Sequence, residues 1–293
     1  MERAGPDLSG RTIVVTGANA GIGKETTVAL AAMGAHVVMA VRNREKGEEA
    51  LAEVRDRTGS ERLELGTLDL GSLTSVRTFA ADFLDAHDRL DVLVNNAGGI
   101  TDTWTPTADG FEQMFGVNHL GHFLLTDLLR DRLIASAPAR VVVVSSVAHR
   151  YAIGGIRFDD LQSERRFSSF PVYGRSKLAN LLFTAELAQQ LEHHGVTVNA
   201  VHPGSINSHF GGDGDTGLLG FLIAKIGRFV LRSPEVGARA SVKLASSDDP
   251  RITSSTGAYF PKGRRRPASR RARDRDSARR LWAASEQLVA ERS

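Results

Sequence analysis

Tyr173 and Lys177 are the two residues whose types and spacing could carry out proton transfer. They lie four residues apart in a stretch with helical spacing, so both side chains fall on the same helix face. A tyrosine in water has a pKa of about 10, and a neighbouring ammonium group lowers that pKa. The pair could therefore act as a general acid and base, although a Tyr-x-x-x-Lys match alone also arises by chance in many helices.

Three further polar residues lie after apolar, strand-like runs. Ser146 follows a run of valines, Asn96 follows an earlier apolar run, and Asn118 lies in the helical stretch after that run. In an open parallel sheet, ligands bind beyond the carboxyl ends of the strands. We therefore expect these residues to share one crevice with the tyrosine and the lysine.

A glycine-rich turn joins the first apolar run to the first helical stretch. Residues 16–23 read Thr-Gly-Ala-Asn-Ala-Gly-Ile-Gly. Glycines allow a tight turn and a close approach of the backbone to a pyrophosphate, and the helix N-terminus offers free N–H groups to it. The turn predicts a dinucleotide site. The alternative is an ordinary glycine-rich turn between a strand and a helix.

The end of the second strand indicates which dinucleotide binds. NAD-binding proteins usually carry an acidic residue there, on the ribose 2′-hydroxyl, but this chain has Val41 followed by Arg42. A guanidinium group suits the 2′-phosphate of NADP. The sequence therefore favours NADP(H) over NAD. The alternative is that Arg42 and Arg44 form a solvated helix start.

Strand-like runs alternate with stretches of helical spacing along the chain. The runs are continuously apolar, as in strands of a parallel sheet that is buried on both faces. We predict an α/β fold, a single-domain Rossmann-type doubly wound parallel sheet over residues 1–261 with helices on both faces. The predicted strands are 12–16, 36–41, 63–68, 92–94, 141–144 and 196–201, and the predicted helices are 22–33, 73–84, 111–133 and 173–191.

Composition excludes several other classes of protein. The chain is 41% hydrophobic and 24% charged, as expected for a globular enzyme, and it contains no cysteine. Disulfides and thiolate zinc sites are therefore excluded. His119, His122 and His149 flank the proposed site without a ligand set, so no metal is predicted.

No apolar run precedes Gly10, and we expect a cytoplasmic protein without a stable membrane anchor.

The net charge of +3 is concentrated near the C-terminus. Residues 262–280 hold ten Lys or Arg and two Asp, and the rest of the chain carries 27 basic and 32 acidic residues. The fold as a whole is therefore not expected to bind nucleic acid. We predict a basic, mobile tail over residues 262–293 that contains a short terminal helix. The alternative is that this tail binds nucleic acid or anionic lipid.

A segment over about 205–234 follows the last predicted strand. Its first half is rich in glycine, and its second half carries apolar residues between Leu218 and Leu231. We predict a lid over an apolar substrate. Packing into the core and binding to a membrane surface are the alternatives.

These motifs together resemble those of the short-chain dehydrogenase/reductase family, in the family's order, from about residue 10 to residue 260. The sequences of residues 117–125 (Val-Asn-His-Leu-Gly-His-Phe-Leu-Leu) and 145–149 (Ser-Ser-Val-Ala-His) are similar to those of the retinol dehydrogenase group and its soluble bacterial relatives. The motifs that carry the family resemblance are Thr16-Gly-x-x-x-Gly-x-Gly23, Asn95-Asn-Ala-Gly98, Asn118, Ser146, Tyr173-x-x-x-Lys177 and His202-Pro-Gly204.

The resemblance implies a role for each catalytic residue. Tyr173 would donate a proton in reduction and accept one in oxidation, while Lys177 would lower the tyrosine pKa and bind the nicotinamide ribose. Ser146 would hydrogen-bond the substrate oxygen, and Asn118 would hold a water in the proton relay. The implied cofactor-binding residues are Gly17, Asn19, Ala20, Gly21, Ile22, Gly23, Arg42, Asp69, Leu70, Asn96, Ala97, Gly98, Tyr173, Lys177, Pro203 and Gly204.

The expected function is hydride transfer between NADP(H) and a carbonyl or alcohol group of a mainly apolar small molecule. The alternative is an NADP(H)-binding sensor on the same fold that has lost turnover. The family resemblance suggests a homodimer or homotetramer packed through the helices of Asn118 and Tyr173, although some relatives are monomers. Arg175 departs from the small residue that is usual there, and it points either to solvent or to the cofactor phosphate.

Overall fold

The computed structural model describes residues 5–204 and 233–292. Seven strands form one parallel sheet in the order β3-β2-β1-β4-β5-β6-β7. The predicted fold class is confirmed, and each predicted strand is present. The strands are β1 (Thr12–Thr16), β2 (His36–Val41), β3 (Leu63–Thr67), β4 (Val92–Asn95), β5 (Ala139–Val144), β6 (Val196–His202) and β7 (Tyr259–Pro261).

Helices cover both faces of this sheet. Successive residues of β1 point to opposite faces: Val14 packs in one apolar core and Val15 in the other, and both are fully buried. This double burial explains why the strand sequences are continuously apolar. The helices are α1 (Gly21–Ala32), α2 (Arg44–Thr58), α3 (Leu73–Ala86), α4 (Gln113–Phe115), α5 (Gly121–Leu128), α6 (Arg130–Ala135), α7 (Ser169–Gln190), α8 (Pro234–Ser246), α9 (Pro250–Thr253) and α10 (Arg275–Ala290).

The predicted helix over residues 111–133 is interrupted in the structure. A π-helical turn, Gly116–Leu120, separates α4 from α5, and the Gly121 N–H donates to the Gly116 carbonyl. The two glycines permit close packing, because a Cβ at Gly116 would lie 2.6 Å from Thr107 and one at Gly121 would lie 2.4 Å from the Leu70 carbonyl oxygen. Apolar periodicity continues through such a turn, so the periodicity did not show it.

The C-terminal segment differs from the mobile tail that its composition predicts. Asp274 caps α10 by accepting the N–H groups of Asp276 and Ser277. Trp282 of α10 stacks on Phe183 of α7, with ring centroids 5.9 Å apart, and meets Phe123 of α5 edge-on at 4.8 Å. The arginines lie on the exposed face of an amphipathic helix, and their number conceals the buried stripe.

Packing of α10 also bears on the expected oligomer. The helix packs on apolar side chains of α5 and α7, and α7 is one of the helices through which the resemblance suggests that subunits pack. The predicted lid lies almost entirely within residues 205–232, outside the described residues. Within the described ranges, no helix has the length and hydropathy needed to cross a bilayer.

Replacement of Trp282 by alanine tests the packing of α10. The indole is buried between two aromatic rings, so Trp282→Ala should lower the free energy of unfolding by about 3–5 kcal/mol. Urea unfolding at neutral pH measures this change. The control is Arg279→Ala, on the exposed face of the same helix, which should change stability by less than about 0.5 kcal/mol. Equal effects of the two substitutions would contradict the packed position of α10.

Candidate active site

The carboxyl ends of the parallel strands meet at one edge of the sheet and form a cleft of about 750 Å³. Pockets of roughly 300–1,000 Å³ are usual for small-molecule and cofactor sites. Every residue that the sequence predicts for catalysis or for cofactor binding lines this cleft. The structure therefore brings together the whole predicted set, from the glycine turn at one end to Tyr173 at the other.

The glycine turn leaves the start of α1 open to a ligand. Gly17 and Gly21 have φ angles of +65° and +52°, which favour glycine. A Cβ at Gly23 would lie 2.1 Å from the Gly17 carbonyl oxygen, so this position must also lack a side chain. The N-cap residue Ala20 has no capping side chain, and the first turn of α1 has no acidic residue.

This helix start fits the pyrophosphate of a dinucleotide. Two neighbouring helices differ from it, because the side chains of Asn43 and Ser72 cap α2 and α3. The unpaired N–H groups and the partial positive charge at an uncapped helix N-terminus bind phosphate. Of these three helices, α1 is the one without a side-chain cap, and the residues of its first turn line the cleft.

Thr16 joins the end of β1 to the loop after β4. Its hydroxyl oxygen accepts the backbone N–H groups of Asn96 and Ala97, each at 2.9 Å. The Asn96 side chain returns a hydrogen bond of 2.8 Å to the Thr16 carbonyl oxygen. These three bonds hold the loop of Asn96 against the glycine turn. The sequence places Thr16 in the glycine motif but does not single it out as a site residue.

Cationic side chains line the cleft near the end of β2. Arg42 is at the predicted position, and Lys46, in the first turns of α2, lines the same cleft. The Asn43 side-chain oxygen caps α2 by accepting the backbone N–H of Lys46 at 2.9 Å. Lys46 was missed in the sequence, although its spacing of four from Arg42 in a helical stretch could have indicated it.

Tyr173 and Lys177 lie on the face of α7 that is directed into the cleft. Both are buried, and the lysine Nζ lies 5.7 Å from the centroid of the tyrosine ring. Nζ also donates to the Val144 carbonyl oxygen at the end of β5, at 3.3 Å. Ser146, two residues further on, is half-buried and hydrogen-bonds the Tyr173 phenol. The spacing of four thus places both α7 side chains against the residues that follow β5.

Burial is the largest influence on the pKa of both members of this pair. Burial raises the pKa of Tyr173 to about 12, and the hydrogen bond with Ser146 acts in the opposite direction. The ammonium group of Lys177 lies over the face of the tyrosine ring, and burial remains the largest influence on the tyrosine pKa. Burial lowers the pKa of Lys177 to about 8. Tyr173 is therefore a neutral phenol at neutral pH, the form that can donate a proton.

Asn118 lies in the π-helical turn with its side chain fully engaged. Its amide nitrogen donates to the Gly99 carbonyl oxygen and to the Ser176 hydroxyl, both at 2.9 Å, and its amide oxygen accepts the Gly99 N–H at 2.8 Å. A Cβ at Gly98 would lie 2.7 Å from that amide oxygen and 3.2 Å from the Lys177 Nζ. Asn118 thus ties the π-helical turn to α7 and to the loop after β4.

Arg175 points neither to solvent nor to the cofactor phosphate, so both sequence alternatives are wrong. The guanidinium is buried and donates to the Ser163 hydroxyl at 2.8 Å. Burial lowers its pKa, a shift that the charges of Asp160 and Glu112 oppose. Arg175 therefore ties α7 to the segment that contains Ser163.

The histidines near the site make hydrogen bonds with other elements. His119 pairs with Ser285 of α10 at 3.0 Å, and the His149 Nδ1 lies 2.6 Å from the Ser146 carbonyl oxygen. Among the residues with described positions, no group of three His, Cys, Asp or Glu side chains could hold a metal ion. The His122 Nε2 lies 2.9 Å from the Thr16 hydroxyl oxygen.

The doubly wound sheet, the uncapped helix start and the tyrosine–lysine pair define a Rossmann-fold dehydrogenase. The sequence profile of the short chain dehydrogenase family matches residues 11–158 and 160–215. The chain therefore belongs to the short-chain dehydrogenase family, as the sequence motifs predict. Members of this family are oxidoreductases that use a nicotinamide cofactor and act on CH–OH groups.

Individual relatives agree with this assignment. Human retinol dehydrogenase 12 is 47% identical over 287 residues, covering 98% of this chain and 89% of the relative. Human retinol dehydrogenase 13 is 43% identical and covers 96% and 85%. A crystal structure of an uncharacterised protein from Mycobacterium paratuberculosis is 38% identical, has a TM-score of 0.75 and covers 98% of this chain and 96% of that one.

Substitution of Lys177 by methionine should stabilise the cofactor-free protein. The unfolded lysine has a pKa of 10.5 and the folded one a pKa of about 8, so between these values the unfolded chain binds more protons and stability rises with pH. Below pH 8 the full cost of burying the charge remains. At pH 7, Lys177→Met should raise the free energy of unfolding by about 2 kcal/mol, after loss of the hydrogen bond to Val144.

Urea unfolding at pH 7, 8, 9 and 10 measures this difference. Lys177→Met should remove the rise in stability above pH 8, whereas the control Lys243→Met, at an exposed position, should retain it. A variant that is no more stable than the parent at pH 7, with an unchanged pH dependence, would show that Lys177 is not a buried charge.

Proposed function

We propose that this protein transfers a hydride between NADP(H) and a carbonyl or alcohol group of a mainly apolar small molecule. The observation that carries the proposal is the arrangement of Ser146, Tyr173 and Lys177 at one end of a cleft whose other end is the uncapped start of α1. The end with Ser146, Tyr173 and Lys177 suits a reacting carbonyl group. The end at the start of α1 suits the pyrophosphate of the cofactor.

The bound cofactor supplies the hydride, and the residues of the chain handle the substrate oxygen and its proton. In reduction, Ser146 donates a hydrogen bond to the carbonyl oxygen and polarises it. Tyr173, protonated because burial raises its pKa to about 12, donates its phenolic proton to that oxygen as negative charge develops there. In oxidation the same phenol oxygen, as tyrosinate, accepts the proton.

Lys177 and Asn118 support this proton transfer. The ammonium group of Lys177 lies near Tyr173 and Gly98 at the nicotinamide end of the cleft, where it can hold the ribose hydroxyls of the cofactor. It also stabilises the tyrosinate that remains after the phenol has given up its proton. Asn118, held by Gly99 and Ser176, is the proposed site of the water through which the tyrosine regains a proton.

The preference for NADP rests on charge at the end of β2. Arg42 and Lys46 line the cleft, while the position of the acidic residue of NAD-binding proteins is taken by the buried Val41. Two cations favour a 2′-phosphate over a 2′-hydroxyl. A structural relative, RhlG of Pseudomonas aeruginosa, forms an active-site complex with NADP; it is 26% identical, with a TM-score of 0.68, and covers 87% of this chain and 95% of that one.

An apolar substrate is supported by the surface beside the catalytic residues. The large apolar side chains that stay exposed within the described ranges all fall between Val147 and Phe170, next to Ser146 and Tyr173. Exposed apolar patches mark binding sites. The names of the retinol dehydrogenase relatives add the expectation that this chain accepts a long apolar aldehyde or alcohol such as a retinoid.

Removal of the phenolic hydroxyl tests the chemistry. Tyr173→Phe should lower kcat/KM for carbonyl reduction by about 10²–10⁴-fold, since it removes the general acid, while the Kd for NADPH changes little. The assay follows NADPH absorbance over a panel of apolar aldehydes and ketones. The control Tyr259→Phe, at a buried tyrosine of β7 that does not line the cleft, should retain activity. Full activity of Tyr173→Phe would refute the proposed mechanism.

Removal of the two cations tests the cofactor preference. Arg42→Ala and Lys46→Ala should each weaken NADPH binding by about tenfold or more through loss of a charge-assisted contact, with little change for NADH. Isothermal titration measures both affinities. Arg44→Ala is the matched control, because Arg44 is exposed and pairs with Glu48 at 3.0 Å. If both variants leave NADPH binding unchanged, the NADP assignment is wrong.

A further inference from the structure

His122 is a buried histidine on α5 that the proposed chemistry does not use. Its ring bridges two parts of the site: Nε2 lies 2.9 Å from the Thr16 hydroxyl oxygen at the end of β1, and Nδ1 lies 3.3 Å from the Asn118 backbone carbonyl oxygen. The ring is 2% exposed, and the residues at both of its ends are fully buried. It therefore connects the glycine turn to the π-helical turn of Asn118.

The hydrogen bonds of Thr16 determine which ring nitrogen of His122 carries the proton. A hydroxyl group has one hydrogen to donate and two lone pairs. The backbone N–H groups of Asn96 and Ala97 occupy both lone pairs at 2.9 Å. The hydroxyl hydrogen must then point to an acceptor, and His122 Nε2 at 2.9 Å is closer than the Val94 carbonyl oxygen at 3.4 Å.

His122 Nε2 is therefore the unprotonated nitrogen, and Nδ1 carries the hydrogen. Nδ1–H can then donate to the Asn118 carbonyl oxygen, which satisfies both ends of the ring. Burial lowers the pKa of His122 to about 3, and the charge of Lys177 adds to that effect while the bond to Asn118 opposes it. The imidazole thus stays neutral throughout the range in which such an enzyme works.

We propose that neutral His122, in its Nδ1–H form, is a positioning residue that fixes the position of the Asn118 backbone carbonyl relative to Thr16. This inference rests on the proposed role of Asn118 in proton transfer. The backbone hydrogen bonds change register in the π-helical turn, where the Gly121 N–H donates to the Gly116 carbonyl, and the His122 ring adds a side-chain bond to the Asn118 carbonyl oxygen. The Asn118 side chain is held separately by Gly99 and Ser176, and His122 supplies the bond to its main chain.

Three substitutions of His122 distinguish the effect of its hydrogen bond with Asn118 from that of its hydrogen bond with Thr16. In His122→Asn, the amide nitrogen can take the place of Nδ1 and keep the bond to Asn118. In His122→Gln, the amide oxygen can take the place of Nε2 and keep the bond to Thr16. His122→Phe removes both. His119→Phe is the matched control, because His119 is also fully buried next to Asn118 but pairs with Ser285 on α10.

We expect these variants to differ in kcat, measured at saturating NADPH and carbonyl substrate. His122→Phe and His122→Gln should lose about tenfold or more, since a misplaced group near the chemistry costs up to about a hundredfold, while His122→Asn and His119→Phe should stay within about threefold of the parent. The Kd for NADPH should change little, because Thr16 still holds Asn96 and Ala97. A fully active His122→Phe, a ranking with glutamine above asparagine, or an equal loss in His119→Phe would each overturn the proposal.

Nuclear magnetic resonance of the cofactor-free protein, labelled with ¹⁵N at the histidine rings, provides a readout that does not depend on turnover. The signals of His122, assigned by their loss in His122→Asn, should show a neutral ring protonated at Nδ1 from about pH 5 to pH 9. A ring protonated at Nε2, or a charged imidazolium, would refute the arrangement even if the enzyme is active. If NADPH and the substrate panel give no turnover while this tautomer is present, the proposed function fails instead.

Discussion

The parallel register of the central strands is the constraint on which the site depends. β1 pairs with β4, β4 with β5 and β5 with β6, so that Val15 lies beside Val94, Asn95 beside Val143, and Val144 beside Val201. The residues that follow each strand therefore reach the same edge of the sheet. Thr16, Asn96 and Ser146 come from distant parts of the chain, and this register alone brings them within reach of α7.

The buried charge of Lys177 lowers the stability of the folded protein. Lys177 is buried, and its pKa falls to about 8 because water is excluded. The same burial keeps Tyr173 protonated and His122 uncharged. The buried ammonium group of Lys177 thus lies beside a neutral phenol, as the proposed proton transfer from Tyr173 requires. Such sites are commonly less stable than an apolar replacement.

The sequence predicted the sheet and the cleft because both depend on local signals, namely buried apolar runs and the polar residues that end them. It missed what depends on distant contacts. The three residues of β7 are too few for a periodic signal, and the arginines of α10 conceal its apolar stripe. Arg175 could not be oriented without its partner Ser163. The bonds of His122 become visible only when Thr16 and Asn118 are placed side by side.

Hydride transfer is tested most directly by the fate of deuterium from NADPH that carries two deuterium atoms at C4 of the nicotinamide. The protein is incubated with this cofactor and a long-chain apolar aldehyde, and the alcohol product is analysed by mass spectrometry. We expect deuterium on the carbinol carbon with the parent protein, and at least about a hundredfold less labelled alcohol with Tyr173→Phe. Tight binding of NADPH without transfer of label to any apolar carbonyl compound would contradict the proposed hydride transfer and would favour a sensor that has lost turnover.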